Sequence, residues 1–233
     1  MKKEIIIFGT GEIAELAYFY FKNDPKCNFK VVAFTVDDEY VKKDKFKELP
    51  LIPLSRVTKD YPSSRFSAHV ALSYQRLNQL RQSKYELMKS LGYELVSYVC
   101  SKSVYWNDLN IGDNCFILEN QTIQPTVKIG DNVMIWSTNH LGHNCEIKDH
   151  AYLASGITVS GHTIIGERTF VGVNAAFKDF IDIGSDCFIT MGANIVKNIP
   201  NDSTATSNDL FESDNIVNKK LKRKYFGLDY ELE

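Results

Sequence analysis

Four histidines fall in a short stretch of the chain: His140, His143, His150 and His162. Histidine is the side chain whose unperturbed pKa lies near neutrality, so it can serve as the general base when a hydroxyl or amine must shed a proton as it attacks. His143 is followed at once by Asn144, which can fix an imidazole tautomer by hydrogen bonding but cannot stabilise an imidazolium as a carboxylate does. Glu119, Glu146 and Asp149 are the acids close enough in sequence to take that part instead. A second group lies near the start, where the apolar run Ile5 to Phe8 meets Gly9, Thr10 and Gly11. A glycine turn between a strand and a helix lets backbone N–H groups face an anion, and an acid ending the next strand, Asp37 or Asp38, can take a ribose hydroxyl or a base. A tight turn followed by a solvated acidic loop is the plainer reading of the same residues.

The histidines sit in a repeat of period six. Every sixth residue from Ile111 to Ile195 is apolar, through Ile117, Ile123, Ile129, Ile135, Leu141, Ile147, Leu153, Val159, Ile165, Val171, Phe177, Ile183 and Ile189. At the apolar content of this chain, such a run arises by chance on the order of once in 10⁵ tries. Glycine follows the apolar residue at Gly112, Gly130, Gly142, Gly166, Gly172 and Gly184, marking places where the backbone bends with positive φ or packs closely on a neighbour. Four residues after the aliphatic comes a second row of small or branched side chains that takes in Cys115, Cys145 and Cys187. Packing therefore accounts for these thiols better than catalysis does. Six residues per side and closure of the chain imply three sides and eighteen residues per turn, with residues n and n+18 stacked about 4.8 Å apart in parallel ladders. The coils are expected over 111–128, 129–146, 147–164, 165–182 and 183–198. His143, two residues after Leu141, belongs near a corner of such a prism, and His140, His150 and His162 are also off its inward row.

The first hundred residues read differently. Ile5 to Phe8 is a buried-strand run, and Ile13, Leu16, Ala17, Tyr20 and Phe21 fall on one helical face. Further strands are expected over 31–36, 68–72 and 95–99, with a helix over 75–91 stopped by Gly92. The alternation predicts a small Rossmann-like parallel α/β sheet over 1–100, a β-helix over 101–200 and a C-terminal tail or helix over 201–233. The Gly9-x-Gly11 turn carries Ala14 where a full dinucleotide loop has its third glycine.

Bulk properties narrow the function. A net charge of −2 with scattered cations argues against nucleic-acid binding, and no run of apolar residues is long enough for a membrane span or a signal-peptide core. A cytoplasmic protein with five free thiols is expected, since the spacing of Cys27, Cys100, Cys115, Cys145 and Cys187 fits neither a disulfide framework nor a zinc site. The basic run from Asn218 to Lys224 is either a solvated helix face or a contact to a phosphate.

Together the domain order, the Gly9-Thr10-Gly11 start, the segment His143 to Asp149 and its continuation through Leu153 to Gly156 and Val159 to Gly166 resemble one family. It is the hexapeptide-repeat sugar acyltransferases, which include sialic-acid O-acetyltransferases and bacillosamine and perosamine N-acetyltransferases. The resemblance implies a left-handed parallel β-helix, assembly as a homotrimer, acetyl-CoA as co-substrate and no metal. It implies His143 as general base, with Asn144 where the family usually has an acid. It further implies Gly161 with its backbone N–H toward the thioester carbonyl, Tyr152, Gly172, Val173 and Asn174 along the CoA arm, and Gly9, Thr10, Gly11, Asp37 and Asp38 on a nucleotide-linked sugar. The common Gly-x-Pro-Ala-Lys ending of these transferases is replaced here by the segment from Asn208 to Asp214. The activity implied is N-acetylation of a nucleotide-linked amino sugar for a surface glycan, with O-acetylation of a sugar hydroxyl as the alternative. A metal protein of the γ-carbonic-anhydrase kind, or a non-catalytic scaffold, would reuse the same prism, and the former would need three converging histidines.

Overall fold

A computed structural model describes residues 2–206, 210–211 and 222–227. The chain opens with β1 (Lys3–Phe8), α1 (Glu12–Asn23), β2 (Phe29–Val36), β3 (Lys45–Phe46), β4 (Leu49–Pro53), α2 (Leu54–Asp60), β5 (Ser67–Val70) and α3 (Gln79–Ser90). These strands form one sheet in the order β3-β4-β2-β1-β5, parallel throughout except for the β3–β4 hairpin. Strand β1 is central and covered on both faces, which is why its sequence is apolar without alternation. Ile5 and Ile7 pack toward Ala14, Ala17 and Phe21 of α1, whereas Ile6 and Phe8 pack toward Val57 of α2 and Tyr85 and Met88 of α3.

The expected helix over 75–91 is shorter, because Arg76, Leu77 and Asn78 all adopt left-handed backbone, with φ of 51°, 50° and 67°, before α3 starts. The hairpin and α2 fall between the strands expected over 31–36 and 68–72. The strand expected over 95–99 is divided: Leu95 bridges to Ala68, and Tyr98 pairs with Phe116, so this segment carries the chain from the sheet into the repeats.

From Tyr98 onward three sheets form the sides of a prism, parallel throughout except where Leu210–Phe211 pairs antiparallel with Thr204–Ala205 at the end. Residues n and n+18 are paired as the period requires, for example His140 with Thr158 and Tyr152 with Phe170. The register shortens to n+16 only at the last coil, where Phe188 meets Thr204. The inward row, from Ile117 to Ile195, is buried together with Cys115, Cys145 and Cys187. Burial pushes the Cys115 and Cys145 thiols up to about 12, so they remain protonated and unreactive. The repeating glycines do not supply the bends. Positive φ recurs two residues later, at Asn114, Asn120, Thr126, Asn132, Thr138, Asn144, His150, His162, Arg168, Asn174, Phe180 and Asp186. The glycines are instead required by close approach, since a Cβ on Gly142 would lie 2.6 Å from the Gly161 nitrogen.

One side of the prism is turned toward the α/β sheet. Its outward positions are Tyr98, Phe116, Met134, Tyr152, Phe170 and Phe188, and the first four join Phe21 and Ala17 in a single buried cluster. At one edge of that side, α3 closes over a corner. Arg81 is buried there and donates to the backbone carbonyls of Asn132, His150 (2.7 Å) and Ala151 (3.2 Å) and to Asn78 Oδ1 (3.1 Å). At the far end, Lys222 is also buried, so that part of the basic run is not a solvated face, while Arg223 and Lys224 are exposed. Asn218 to Leu221 and most of the segment from Asn208 to Asp214 lie outside the described residues.

Candidate active site

His143 follows the strand His140–Leu141 and stands exposed at the corner opposite the side that faces the α/β sheet. Its backbone N–H donates to Gln124 Oε1 at 2.8 Å. Asn144, the next residue, is the corner position with left-handed φ, and its side-chain amide lies 3.0 Å from His143 Nδ1. The same amide touches Thr126 Oγ1 at 2.7 Å and His162 Nε2 at 3.4 Å. Thr126, Asn144, His162 and Phe180 are eighteen residues apart, so they form a ladder up this corner: the His143 and His162 rings meet edge to face at 5.1 Å, and His162 stacks on Phe180 at 4.5 Å.

The three acids named as alternatives to Asn144 are engaged elsewhere. Glu119 binds the Tyr20 hydroxyl, Glu146 pairs with Lys148 at 2.8 Å, and Asp149 accepts the Asp131 backbone N–H at 2.8 Å. Asn144 is therefore the group on His143 Nδ1. With its NH₂ toward the ring, as observed, Nδ1 accepts and the ring proton sits on Nε2. A half-turn of the amide puts Oδ1 there instead, so that Nδ1–H donates and Nε2 keeps a free lone pair, while Thr126 Oγ1 accepts from the NH₂. Only the second arrangement lets Nε2 take a proton. A Cβ on Gly161 would lie 3.0 Å from His143 Nε2, so glycine at this position keeps the space in front of that nitrogen open.

The other candidates separate. His150 is buried under α3, with its ring on the Asn132 amide at 3.0 Å and edge-on to Tyr85, and burial lowers its pKa. His140 is half-buried on a flat side between Thr122 and Thr158. Gly172, Val173 and Asn174 occupy the next corner, one side away from His143; Gly172 is buried, and Val173 and Asn174 are exposed. Tyr152 is not near His143 either. It lies on the side facing the sheet, where its hydroxyl accepts from Trp136 Nε1.

Tyr152 instead helps to wall a cavity of about 570 Å³ between the two halves, with Gly11, Ser73, Tyr74, Gln75 and Trp136 among its other lining residues. This cavity lies at the C-terminal ends of the neighbouring strands β1 and β5, where the connection after β1 leads to α1 on one face of the sheet and that after β5 leads to α3 on the other, the crevice in which open α/β sheets bind ligands. Gly9 is needed for the turn, since it takes φ of 126° with a virtual Cβ only 2.6 Å from the Ala71 carbonyl. Gly11 caps α1 without a side chain, which leaves the first N–H groups of the helix unpaired by one. Asp37 and Asp38 do not line the cavity: Asp37 pairs with Lys84 at 2.6 Å, and Asp38 accepts the backbone N–H and hydroxyl of Ser55. Sequence reasoning missed Ser73, Tyr74 and Trp136. The outward row from Tyr98 to Phe188, bulky and apolar at every eighteenth residue, was a signal that this side of the prism, next to Trp136, is covered, but nothing in the sequence marked Ser73 or Tyr74.

No group of three or more His, Cys, Asp or Glu side chains is arranged to hold a metal ion among the described residues, and no described helix is long and apolar enough to cross a membrane. No curated protein matches the chain by sequence. The bacterial transferase hexapeptide (six repeats) family matches residues 126–161, the coils that carry His143. Among solved structures, the acetyltransferase domain of PglB from Neisseria gonorrhoeae is 20% identical, covers 90% of this chain and 98% of its own, and has a TM-score of 0.77. PerB from Caulobacter crescentus, in complex with CoA and GDP-perosamine, is 21% identical over 89% of this chain and 95% of its own, with a TM-score of 0.78. WeeI from Acinetobacter baumannii is 18% identical, covers 89% and 99%, and has a TM-score of 0.66. The chain thus has the fold of these proteins, a left-handed hexapeptide β-helix behind a small α/β sheet.

Proposed function

We propose that the protein is an acetyl-CoA-dependent N-acetyltransferase acting on a nucleotide-linked amino sugar, with His143 as general base. The observation that carries this reading is the open corner itself: His143 Nε2 faces free space kept clear by Gly161, and its Nδ1 is held by Asn144. The acetyl thioester supplies the electrophilic carbonyl. As the amine of the acceptor attacks that carbon, Nε2 removes its proton; the tetrahedral intermediate then expels the CoA thiolate, which is protonated as the amide forms. The Gly161 N–H is the donor assigned to the developing oxyanion. The sugar nucleotide occupies the cavity beside Gly11, its diphosphate toward the N-terminus of α1, a helix long enough to present a useful dipole. In favour of this class of substrate, PerB has the same fold and is solved with CoA and GDP-perosamine.

Cavity and base lie on opposite parts of the prism, the cavity against one side and His143 at the corner facing away from it. One chain cannot bring both to the same sugar, so the reading requires a homotrimer in which a neighbour supplies His143 and the Val173 corner accommodates the CoA arm. O-acetylation of a sugar hydroxyl uses the same groups. Thiol release from acetyl-CoA with a panel of GDP- and UDP-linked amino sugars and their hydroxy counterparts tests the reading. Turnover with an amino sugar and a mass in solution of three chains are expected; full activity as a monomer of about 27 kDa, or turnover with hydroxy sugars alone, would overturn it.

A further inference from the structure

The basic run near the C-terminus has no part in the chemistry above, yet one of its lysines is among the most deeply buried polar residues in the chain. Lys222 is 1% exposed; its ammonium donates to the Asp186 carbonyl at 2.7 Å and contacts the Asp202 carboxylate at the end of the β-helix. One helical turn later, Phe226 is buried among Leu77, Phe170 and Phe188, and its ring lies 5.8 Å from that of Tyr74. Its carbonyl accepts the backbone N–H of Arg76 at 2.9 Å.

The segment it touches is the strained one. Arg76, Leu77 and Asn78 are three consecutive non-glycine residues in the left-handed region, a conformation that Arg76 and Leu77 disfavour and that a run of three holds only where surrounding contacts impose it. Those contacts are Phe226 on Leu77 and on the Arg76 N–H, and the Asn78 amide donating to the Arg168 carbonyl at 2.8 Å. Immediately before the turn, Ser73, Tyr74 and Gln75 wall the interdomain cavity, with Tyr74 edge-on to Tyr152 at 5.2 Å.

We propose that the helix over 222–226 is a positioning element for the interdomain cavity. Lys222 pins the helix to the end of the prism, and Phe226 props the left-handed turn so that Tyr74 stands against Tyr152 and completes the cavity wall. Phe226 and Lys222 are positioning residues; neither touches the cavity. The functional part of this inference rests on the reading of the cavity as the sugar-nucleotide site, but its structural part does not.

Of the two tryptophans, Trp106 is exposed and Trp136 lines the cavity, so a Trp106→Phe background makes Trp136 a sole reporter of the wall. In that background Phe226→Ala and Lys222→Met should at least double the acrylamide quenching of Trp136, and Phe226→Leu should restore most of the protection. With the full-length enzyme, KM for the sugar nucleotide should rise at least fivefold in both loosening variants, while kcat and the Kd for acetyl-CoA stay unchanged. A destabilised prism would lower kcat and acetyl-CoA binding as well, which separates positioning from general damage. If Phe226→Ala does not fold, Lys222→Met, which leaves the aromatic cluster whole, decides the matter. Unchanged Trp136 quenching in the folded variants overturns the proposal. Absence of turnover by wild type with any GDP- or UDP-linked sugar would sink the substrate reading alone, since the quenching result stands without it.

Discussion

Two corners of the β-helix are built to the same plan and put to opposite uses. Asn114, Asn132, His150, Arg168 and Asp186 climb one corner, and Thr126, Asn144, His162 and Phe180 climb another, each residue in left-handed backbone and each eighteen from the next. In the first ladder α3 covers the stack, and Asn114, Asn132 and His150 hydrogen-bond up the column, with Arg81 on the adjoining carbonyls. In the second no described element packs on the stack, and His143 and His162 face outward. An imidazole in the first is a satisfied structural group, and in the second it is free to meet a reactant. The difference lies in what packs on the corner rather than in the repeat.

The largest expected effect is on the open corner. His143→Ala should lower kcat by about 10²–10⁴-fold with acetyl-CoA binding and Tm retained, because proton removal belongs to the transition state and the side chain opens no core cavity. His140→Ala and His162→Ala should lose far less, and a His143→Ala loss below about fivefold would reject it as an obligatory base. The buried corner should respond in stability instead. Arg81→Ala orphans several buried carbonyls at once and should cost about 2–4 kcal/mol, read by denaturant unfolding. A loss of activity at unchanged stability would contradict the division of labour between the corners.

Acid should also distinguish buried from open histidines. Burial presses the His69 pKa down to about 4, Arg81 adding to it against the hydrogen bond with the Val96 carbonyl, and burial and Arg81 lower that of His150 as well. His69 therefore stays neutral in the folded chain down to about pH 4, and His150 resists protonation in the same direction, while the unfolded imidazole takes a proton near its ordinary value. The unfolded state therefore binds more protons below about pH 6.5, and stability present above that is lost as pH falls toward 4. For His69 alone the shift amounts to on the order of 3 kcal/mol. His69→Leu should flatten the dependence of unfolding free energy on pH between 7 and 4; an unaltered slope would contradict the assignment. The smallest effect concerns the tautomer. Asn144→Ala should reduce kcat by about 10–10²-fold, and Asn144→Asp should retain activity, since a carboxylate can only accept from Nδ1–H. Equal losses in both would exclude orientation through Nδ1.

The prism could be read from the sequence because its period is local: each hexad fixes which residue turns inward, and Ile111 to Ile195 never leave phase. The same register was enough to put His143 beside a corner and Cys115, Cys145 and Cys187 inside. Glycine chemistry was half legible: the positions were right, but the left-handed turns fall two residues later, on Asn, Asp and His, which tolerate that backbone, and also on Thr126, Thr138, Arg168 and Phe180, which do not favour it and are held there by the stacking of the coils. Which corner is covered, and hence that His150 is structural, was decided by the docking of α3, a contact between residues about fifty to seventy apart such as Arg81 with Asn132 and His150. Tyr152 was expected along the CoA arm from the resemblance alone; in the tertiary structure it walls the interdomain cavity, because the aromatic row it belongs to is buried by a domain the repeat does not encode. Local periodicity determines a side chain's phase on the prism, and long-range packing alone determines whether that phase meets water, a reactant or another domain.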